Sequence, residues 1–86
     1  MDDKVIIAAV QIDPKIMNNN ENLERMILET RAAAKNGANL IVFPECALSG
    51  YVFSSREEAI PFMESIPGMS TKRLTTCCRE LGIYVI

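Results

Sequence analysis

The sequence contains no histidine and no tryptophan, and it has only three cysteines. Without histidine, the 86 residues cannot form a Ser-His or Cys-His pair, because those pairs activate their nucleophile through an imidazole. The odd number of cysteines, two of them adjacent (Cys77 and Cys78), argues against a disulfide framework and does not match metal-ligand spacing. We therefore expect reduced thiols.

The chain also lacks an excess of charge and a long apolar run. Nine basic and eleven acidic residues give a formal net charge of −2, which provides no electrostatic footprint for nucleic acid or an anionic membrane. The chain starts with the acidic stretch 1–4, and the apolar run 5–10 is too short for a signal peptide or a membrane span. These features predict a cytoplasmic protein with a soluble partner or small substrate, and neither nucleic acid nor membrane as a partner.

A nearly continuous apolar run at residues 4–12 and shorter apolar runs at 40–43 and 83–86 predict three strands, the first of them buried on both faces. A first helix is predicted to start at Asn18, whose side chain would form a capping box with Glu21. Its apolar residues recur at spacings of three and four, and Asn36-Gly37 supplies a left-handed stop.

The second half of the chain predicts two further helices. A short one can begin near residue 54 and is limited by Pro61. The other follows Pro67-Gly68, with Ser70 or Thr71 as its cap and Gly82 as its stop, and would bury Leu74, Cys77 or Cys78, and Leu81. The predicted order is βαβ(α)αβ in an α/β fold, with a right-handed parallel crossover that packs helices on the sheet.

Glu45 lies just past the second predicted strand, where open α/β sheets place ligand crevices. Its apolar neighbours would desolvate a carboxylate, and desolvation moves an acid toward the range in which it acts as a general base at neutral pH. On this local chemistry alone, an exposed loop glutamate is the more common case. Glu45 therefore needs a more specific signal before it can be assigned a role.

That signal is the string from Phe43 to Tyr51, in which Phe-Pro-Glu follows an apolar strand and leads to Gly-Tyr. It resembles the first catalytic motif of the nitrilase superfamily of carbon–nitrogen hydrolases. Asn18 is a departure, since many relatives carry aspartate there. Further matches occur in the expected order along essentially the whole chain: Ala9-Val10-Gln11, Asn22-Leu23, Gly37-Ala38 and Pro67-Gly68.

The resemblance implies that residues 1–86 are the truncated N-terminal part of a single domain with a four-layer α-β-β-α sandwich. It implies a Glu-Lys-Cys triad that hydrolyses non-peptide carbon–nitrogen bonds in a small amide or nitrile, with Glu45 as the general base and no metal or organic cofactor. Tyr51 would line the substrate pocket, although an aromatic plug under the following loop is an equally good interpretation. Relatives commonly assemble, so a homo-oligomer is one possibility for the full-length protein and the oligomeric state stays open.

Only the glutamate of the triad is present, because the family's lysine and nucleophilic cysteine belong to later motifs. Cys46 directly follows Glu45 on the backbone, which is poor geometry for proton transfer, and Cys77 and Cys78 lie on a predicted helix. We therefore expect the isolated chain to be inactive. Nitrile, ω-amide, carbamoyl amine and acyl-transfer members share this motif, so the substrate stays open.

Two alternatives follow from the same residues. The chain could be a truncated, catalytically inactive remnant that retains only the packing or interaction surface of the family. An unrelated βαβ nucleotide-binding module is disfavoured, because neither strand-to-helix turn carries a glycine-rich phosphate cradle.

Overall fold

A computed structural model describes residues 4–86, and the acidic residues 1–3 lie outside the described part. The predicted α/β class and the order βαβ(α)αβ are confirmed, although the strands are shorter than predicted. Within residues 4–86, no helix has the length and apolar character to cross a bilayer. The elements are β1 (Ile7–Ala9), α1 (Asn19–Lys35), β2 (Leu40–Val42), α2 (Arg56–Ala59), a 3₁₀ turn (Ile60–Phe62), α3 (Met69–Leu81) and β3 (Tyr84–Val85).

The three strands form one parallel sheet in the order β1-β2-β3. Ile7 pairs with Leu40, and Leu40 pairs with Tyr84, so these three side chains share one face of the sheet. Ile7 is 60% exposed and Tyr84 is 76% exposed. The prediction that the first strand is buried on both faces is therefore wrong for this chain, because no element of residues 4–86 covers this outer face.

The opposite face of the sheet is covered by α1 and α3, which also contact each other. Ile41, at the centre of β2, is fully buried there, and removing a side chain of this size from water contributes roughly 2 kcal/mol. The predicted buried stripe of α3 is confirmed: Cys77 is 2% exposed, and Leu74 and Leu81 pack beside it. The main core cluster consists of Met26, Ala38, Ile41, Phe43, Ala47 and Ile83.

The helix ends were predicted better than the helix caps. Gly82 ends α3 in the left-handed conformation, with φ of 67°. Asn18 precedes α1 as predicted, but it makes no side-chain cap; its Nδ2 donates to Glu21 Oε2 at 2.8 Å instead. At the start of α3 the predicted caps, Ser70 and Thr71, are also wrong, since the helix begins at Met69. The acceptor there is a carboxylate from outside the helix.

That carboxylate belongs to Glu64, which accepts hydrogen bonds from both the backbone N–H and the hydroxyl of Ser70. Ser70 is buried, and the two bonds lower the pKa of the Glu64 carboxyl below its usual range. A negative charge in this position also interacts favourably with the N-terminal end of the helix dipole. Glu64 therefore ties the segment before α3 to the first turn of the helix.

The substitution Glu64→Gln should lower the free energy of unfolding by about 1 kcal/mol at pH 7, because hydrogen bonds to a charged acceptor are stronger than those to an amide. Because the pKa of Glu64 is lower in the folded state, its hydrogen bonds stabilise the protein fully above the ordinary glutamate pKa of about 4.3. This stabilisation is lost as the pH falls through the folded-state pKa. Urea titrations should therefore show the difference between the wild type and this variant closing as the pH is lowered below about 4. The exposed Glu57→Gln is the control, and a difference that persists in acid would contradict the assignment.

Candidate functional site

The loops that follow β1 and β2 meet at one edge of the sheet, because the carboxyl ends of parallel strands lie on the same side. Pro44 ends the second strand, and a compact turn then carries the chain to Gly50. Two residues of this turn have positive φ: Cys46 at 56° and Gly50 at 85°. The Gly50 N–H donates to Cys46 O at 3.0 Å, which closes the turn, and Glu45 within this turn is exposed.

Glu45 and Tyr51, the two site residues named from the sequence, lie in direct contact. The Tyr51 hydroxyl donates a hydrogen bond to Glu45 Oε2 at 2.7 Å. Tyr51 is 64% exposed, so its ring is not a plug beneath the following loop. The desolvation expected for Glu45 is absent within residues 4–86, since its side chain is exposed. The Tyr51 hydroxyl therefore bonds to one carboxylate oxygen of Glu45, Oε2, and does not bond to Oε1.

The contact between these two residues has a measurable electrostatic consequence. The hydrogen bond to Glu45, reinforced by the negative charge of that carboxylate, raises the pKa of the Tyr51 phenol. Deprotonating the phenol would remove the donated proton and place two negative charges side by side. The ionisation of Tyr51 therefore reports how close its hydroxyl lies to Glu45.

An open cavity of about 450 Å³ lies beside this pair. One wall comes from the loop after β1, with Asp13, Pro14 and Ile16, and the other wall comes from the residues that follow β2. The side chains are mixed in character, with two carboxylates and a phenol among apolar neighbours, as in small-molecule sites. The lining residues on the second wall are Pro44, Glu45, Tyr51 and Val52.

No thiol or lysine side chain of the described residues lines this cavity. Cys46 is exposed, but it belongs to the same turn as Glu45 and is not among the lining residues. Cys77 is buried between α1 and α3. The neighbouring Cys78 thiol is half-buried, and its pKa is raised first by desolvation and then by electrostatic interaction with Cys77. A raised pKa disfavours the thiolate of Cys78, which is the nucleophilic form. Neither helix cysteine lines the cavity that contains Glu45.

The sequence did not predict that Asp13 and Ile16 line the cavity beside Glu45. Asp13-Pro14 directly follows the first apolar run, and in the sequence this pair indicates only where a strand ends. In the structure, the loop after β1 packs against the turn after β2, and the Met17 N–H donates to Ser49 O at 3.2 Å. A parallel pairing of the two strands brings these loops together, so their meeting could have been inferred from the topology, whereas the individual contacts could not.

Comparison with known proteins gives a consistent result. The family model described as carbon-nitrogen hydrolase matches residues 6–86. A nitrilase from Pyrococcus abyssi is 35% identical over 83 residues, which are 95% of this chain and 32% of that protein. An omega-amidase from Xenopus tropicalis is 40% identical over 67 residues, 78% of this chain and 23% of that protein. A protein N-terminal amidase from Schizosaccharomyces pombe is 39% identical over 59 residues, 66% of this chain and 21% of that protein.

The chain thus spans between about a fifth and a third of the length of these relatives. The matched region includes the turn after β2 and the loop after β1. Both walls of the cavity therefore fall within the part of the chain that matches the family model.

Proposed function

Because the chain belongs to the carbon–nitrogen hydrolase family, we propose that it supplies the general base of a hydrolase that cleaves non-peptide carbon–nitrogen bonds in a small amide or nitrile. The observation that carries this proposal is the Glu45 carboxylate, which lies in a cavity at the carboxyl ends of parallel strands and is held at one oxygen by Tyr51. The names of the relatives, a nitrilase and two amidases, support the reaction class.

In the proposed reaction, Glu45 takes the proton of a cysteine thiol as the sulfur attacks the amide carbon. The resulting tetrahedral species is stabilised by a lysine, and it collapses when Glu45 returns the proton to the departing nitrogen, so that ammonia or an amine leaves and a thioester remains. Water then attacks the thioester, with Glu45 accepting its proton; the carbon–sulfur bond breaks, Glu45 returns that proton to the cysteine sulfur, and the acid is released. The cysteine and the lysine come from protein outside the 86 residues.

Tyr51 has two roles in this proposal. Its hydroxyl holds Glu45 Oε2, which leaves Oε1 to exchange the proton with the thiol. Its exposed ring lies against the cavity, where it can contact the substrate. Glu45→Gln would keep the acceptor for the Tyr51 hydroxyl and remove only the ability to take up a proton.

We further propose that the 86 residues form the N-terminal part of one larger domain. The outer face of the sheet supports this, because Ile7 and Tyr84 are largely exposed although both lie in strands. In a four-layer α-β-β-α sandwich a second sheet covers this face at a separation of about 10 Å. The same added layers would enclose Glu45, which is exposed here, and so provide the low-polarity surroundings that a general base at neutral pH requires.

A chimera tests the proposal. The part of this chain that matches the Pyrococcus abyssi nitrilase replaces the corresponding part of that protein, so that the remaining protein supplies whatever the chain lacks. We expect the purified chimera to release ammonia from a substrate of the parent nitrilase, because both cavity walls and Glu45 come from this chain. Circular dichroism and the thermal transition, compared with those of the parent, show whether the chimera folds.

The alternative, a catalytically inactive remnant, predicts a different result. It is favoured by the lack of a thiol or lysine among the described residues that line the cavity with Glu45. A chimera that folds like the parent nitrilase and still releases no ammonia would favour the remnant over the enzyme.

A further inference from the structure

Asn22 is a buried polar residue that the proposed reaction does not use. It lies in the first turns of α1, and only 4% of it is exposed. Asparagine is a poor helix former, and a buried amide without partners costs free energy. Its position is therefore explained only by the contacts that the amide makes.

Those contacts join two loops. Asn22 Oδ1 accepts from the Lys15 N–H at 2.8 Å, and Nδ2 donates to Lys15 O at 2.7 Å, so the amide pairs with both backbone groups of one residue in the loop after β1. The second Nδ2 proton goes to Leu48 O at 2.7 Å, in the turn after β2. Both donors of the amide are thus used, one in each loop.

The two bridged residues lie beside the cavity. Lys15 stands between Pro14 and Ile16, which line its first wall, and Leu48 lies three residues after Glu45. Within residues 4–86, the Asn22 side chain hydrogen-bonds to the backbone of both loops, in addition to the direct backbone bond between Met17 and Ser49.

We propose that Asn22 is a positioning residue for Glu45: its buried amide fixes the turn after β2 to the loop after β1 and thereby sets where the carboxylate lies within the cavity. Asn22 does not touch Glu45 and acts through Leu48 and the turn. The consequence for hydrolysis rests on the proposed function, whereas the positioning itself does not. Aspartate keeps the shape and can accept from the Lys15 N–H, but it cannot donate to the two carbonyls. Only an amide of this length satisfies all three groups.

The phenol of Tyr51 provides a readout that is independent of catalysis. The chain has two tyrosines and no tryptophan, so Tyr84→Phe leaves Tyr51 as the only group with a tyrosinate absorbance change. In this background, Tyr51 should titrate above the ordinary tyrosine pKa of about 10, because its hydroxyl is bonded to Glu45. Adding Asn22→Ala should shift the Tyr51 pKa downward, because a released turn no longer holds the carboxylate against the hydroxyl. Asn22→Asp should shift it in the same direction.

Three further variants in the Tyr84→Phe background make the result specific. Glu45→Gln removes the negative charge but keeps an acceptor for the Tyr51 hydroxyl, so it marks the shift that is due to the carboxylate charge. Asn20→Ala replaces an exposed asparagine of the same helix and should leave the Tyr51 pKa unchanged. Cys77→Ala should also leave it unchanged while lowering stability, because it creates a cavity between the helices.

The outcomes separate the two proposals. If the Tyr51 pKa is the same with and without Asn22, the positioning role is wrong. It is also wrong if Tyr51 has the ordinary tyrosine pKa in every variant. A downward shift caused by Cys77→Ala as large as that of Asn22→Ala would also overturn it, since general loosening would then explain the effect. An inactive chimera would count against the hydrolase and would leave the Tyr51 titration unaffected.

Discussion

Replacing Glu45 by glutamine is expected to lower the kcat of the chimera by about 10²–10⁴-fold, the range that a positioned general base contributes. Glutamine has the same shape and its carbonyl oxygen can still accept from the Tyr51 hydroxyl, so the turn and the cavity should persist. What is lost is a group that takes the proton from the attacking thiol and later from water. Substrate binding uses the cavity walls rather than the proton, so KM should change much less than kcat.

The measurement is ammonia release by the chimera and its variants over a range of substrate concentrations. Cys46→Ala is the matched control, because Cys46 is adjacent in sequence but does not line the cavity. That variant should keep the kcat of the unmodified chimera. Undiminished turnover after Glu45→Gln would remove Glu45 from the mechanism, and a comparable loss after Cys46→Ala would assign the thiol a role that the structure does not.

The helices could be predicted from the sequence because their signals are local. Apolar residues at spacings of three and four mark the buried face of α1, and Gly82 ends α3 in the left-handed conformation that glycine tolerates. The α/β class and the order of elements follow from these helices and the apolar runs between them. Each signal depends on neighbours within about one helical turn, so little tertiary information was needed.

The strands and the caps depended on partners that are distant in sequence. An apolar run predicts a strand but not how much of it is paired or covered. Ile7 is exposed because α1 and α3 cover the opposite face of the sheet, and no other element of residues 4–86 covers its own face. The carboxylate that serves the start of α3 comes from Glu64, in a segment that packs against the helix from outside. A rule that searches for a cap within the first residues of a helix does not find such a group.

In the candidate site, too, the residues with a local sequence signal could be predicted, whereas the contacts between distant residues could not. Glu45 could be named from the string around it, and Tyr51 from the end of that string. Their 2.7 Å contact could not be predicted, because it requires the positive φ values of Cys46 and Gly50 within the turn. The role of Asn22 was equally hidden, since the sequence shows an asparagine in a helix and does not show that its amide reaches two loops.

Gly50→Ala is expected to be the most destabilising single-methyl substitution in the turn after β2. Gly50 is buried and has φ of 85°, a conformation that costs a residue with a Cβ about 1–2 kcal/mol. The added Cβ would also lie 2.6 Å from Ile16 Cα, which is backbone and cannot rotate away. The loops must therefore separate, and we expect a total loss of about 2–5 kcal/mol in the free energy of unfolding.

Gly82→Ala isolates the steric part of this loss. Gly82 has φ of 67°, but a Cβ at that position meets no atom within 4 Å, so only the conformational cost of about 1 kcal/mol should appear. Urea unfolding followed by circular dichroism measures both variants. If Gly50→Ala costs no more than Gly82→Ala, the close packing of the two loops against each other is wrong. Because those loops form opposite walls of the cavity, the larger loss expected for Gly50→Ala would show that the site depends on backbone contact as well as on the side chains that line it.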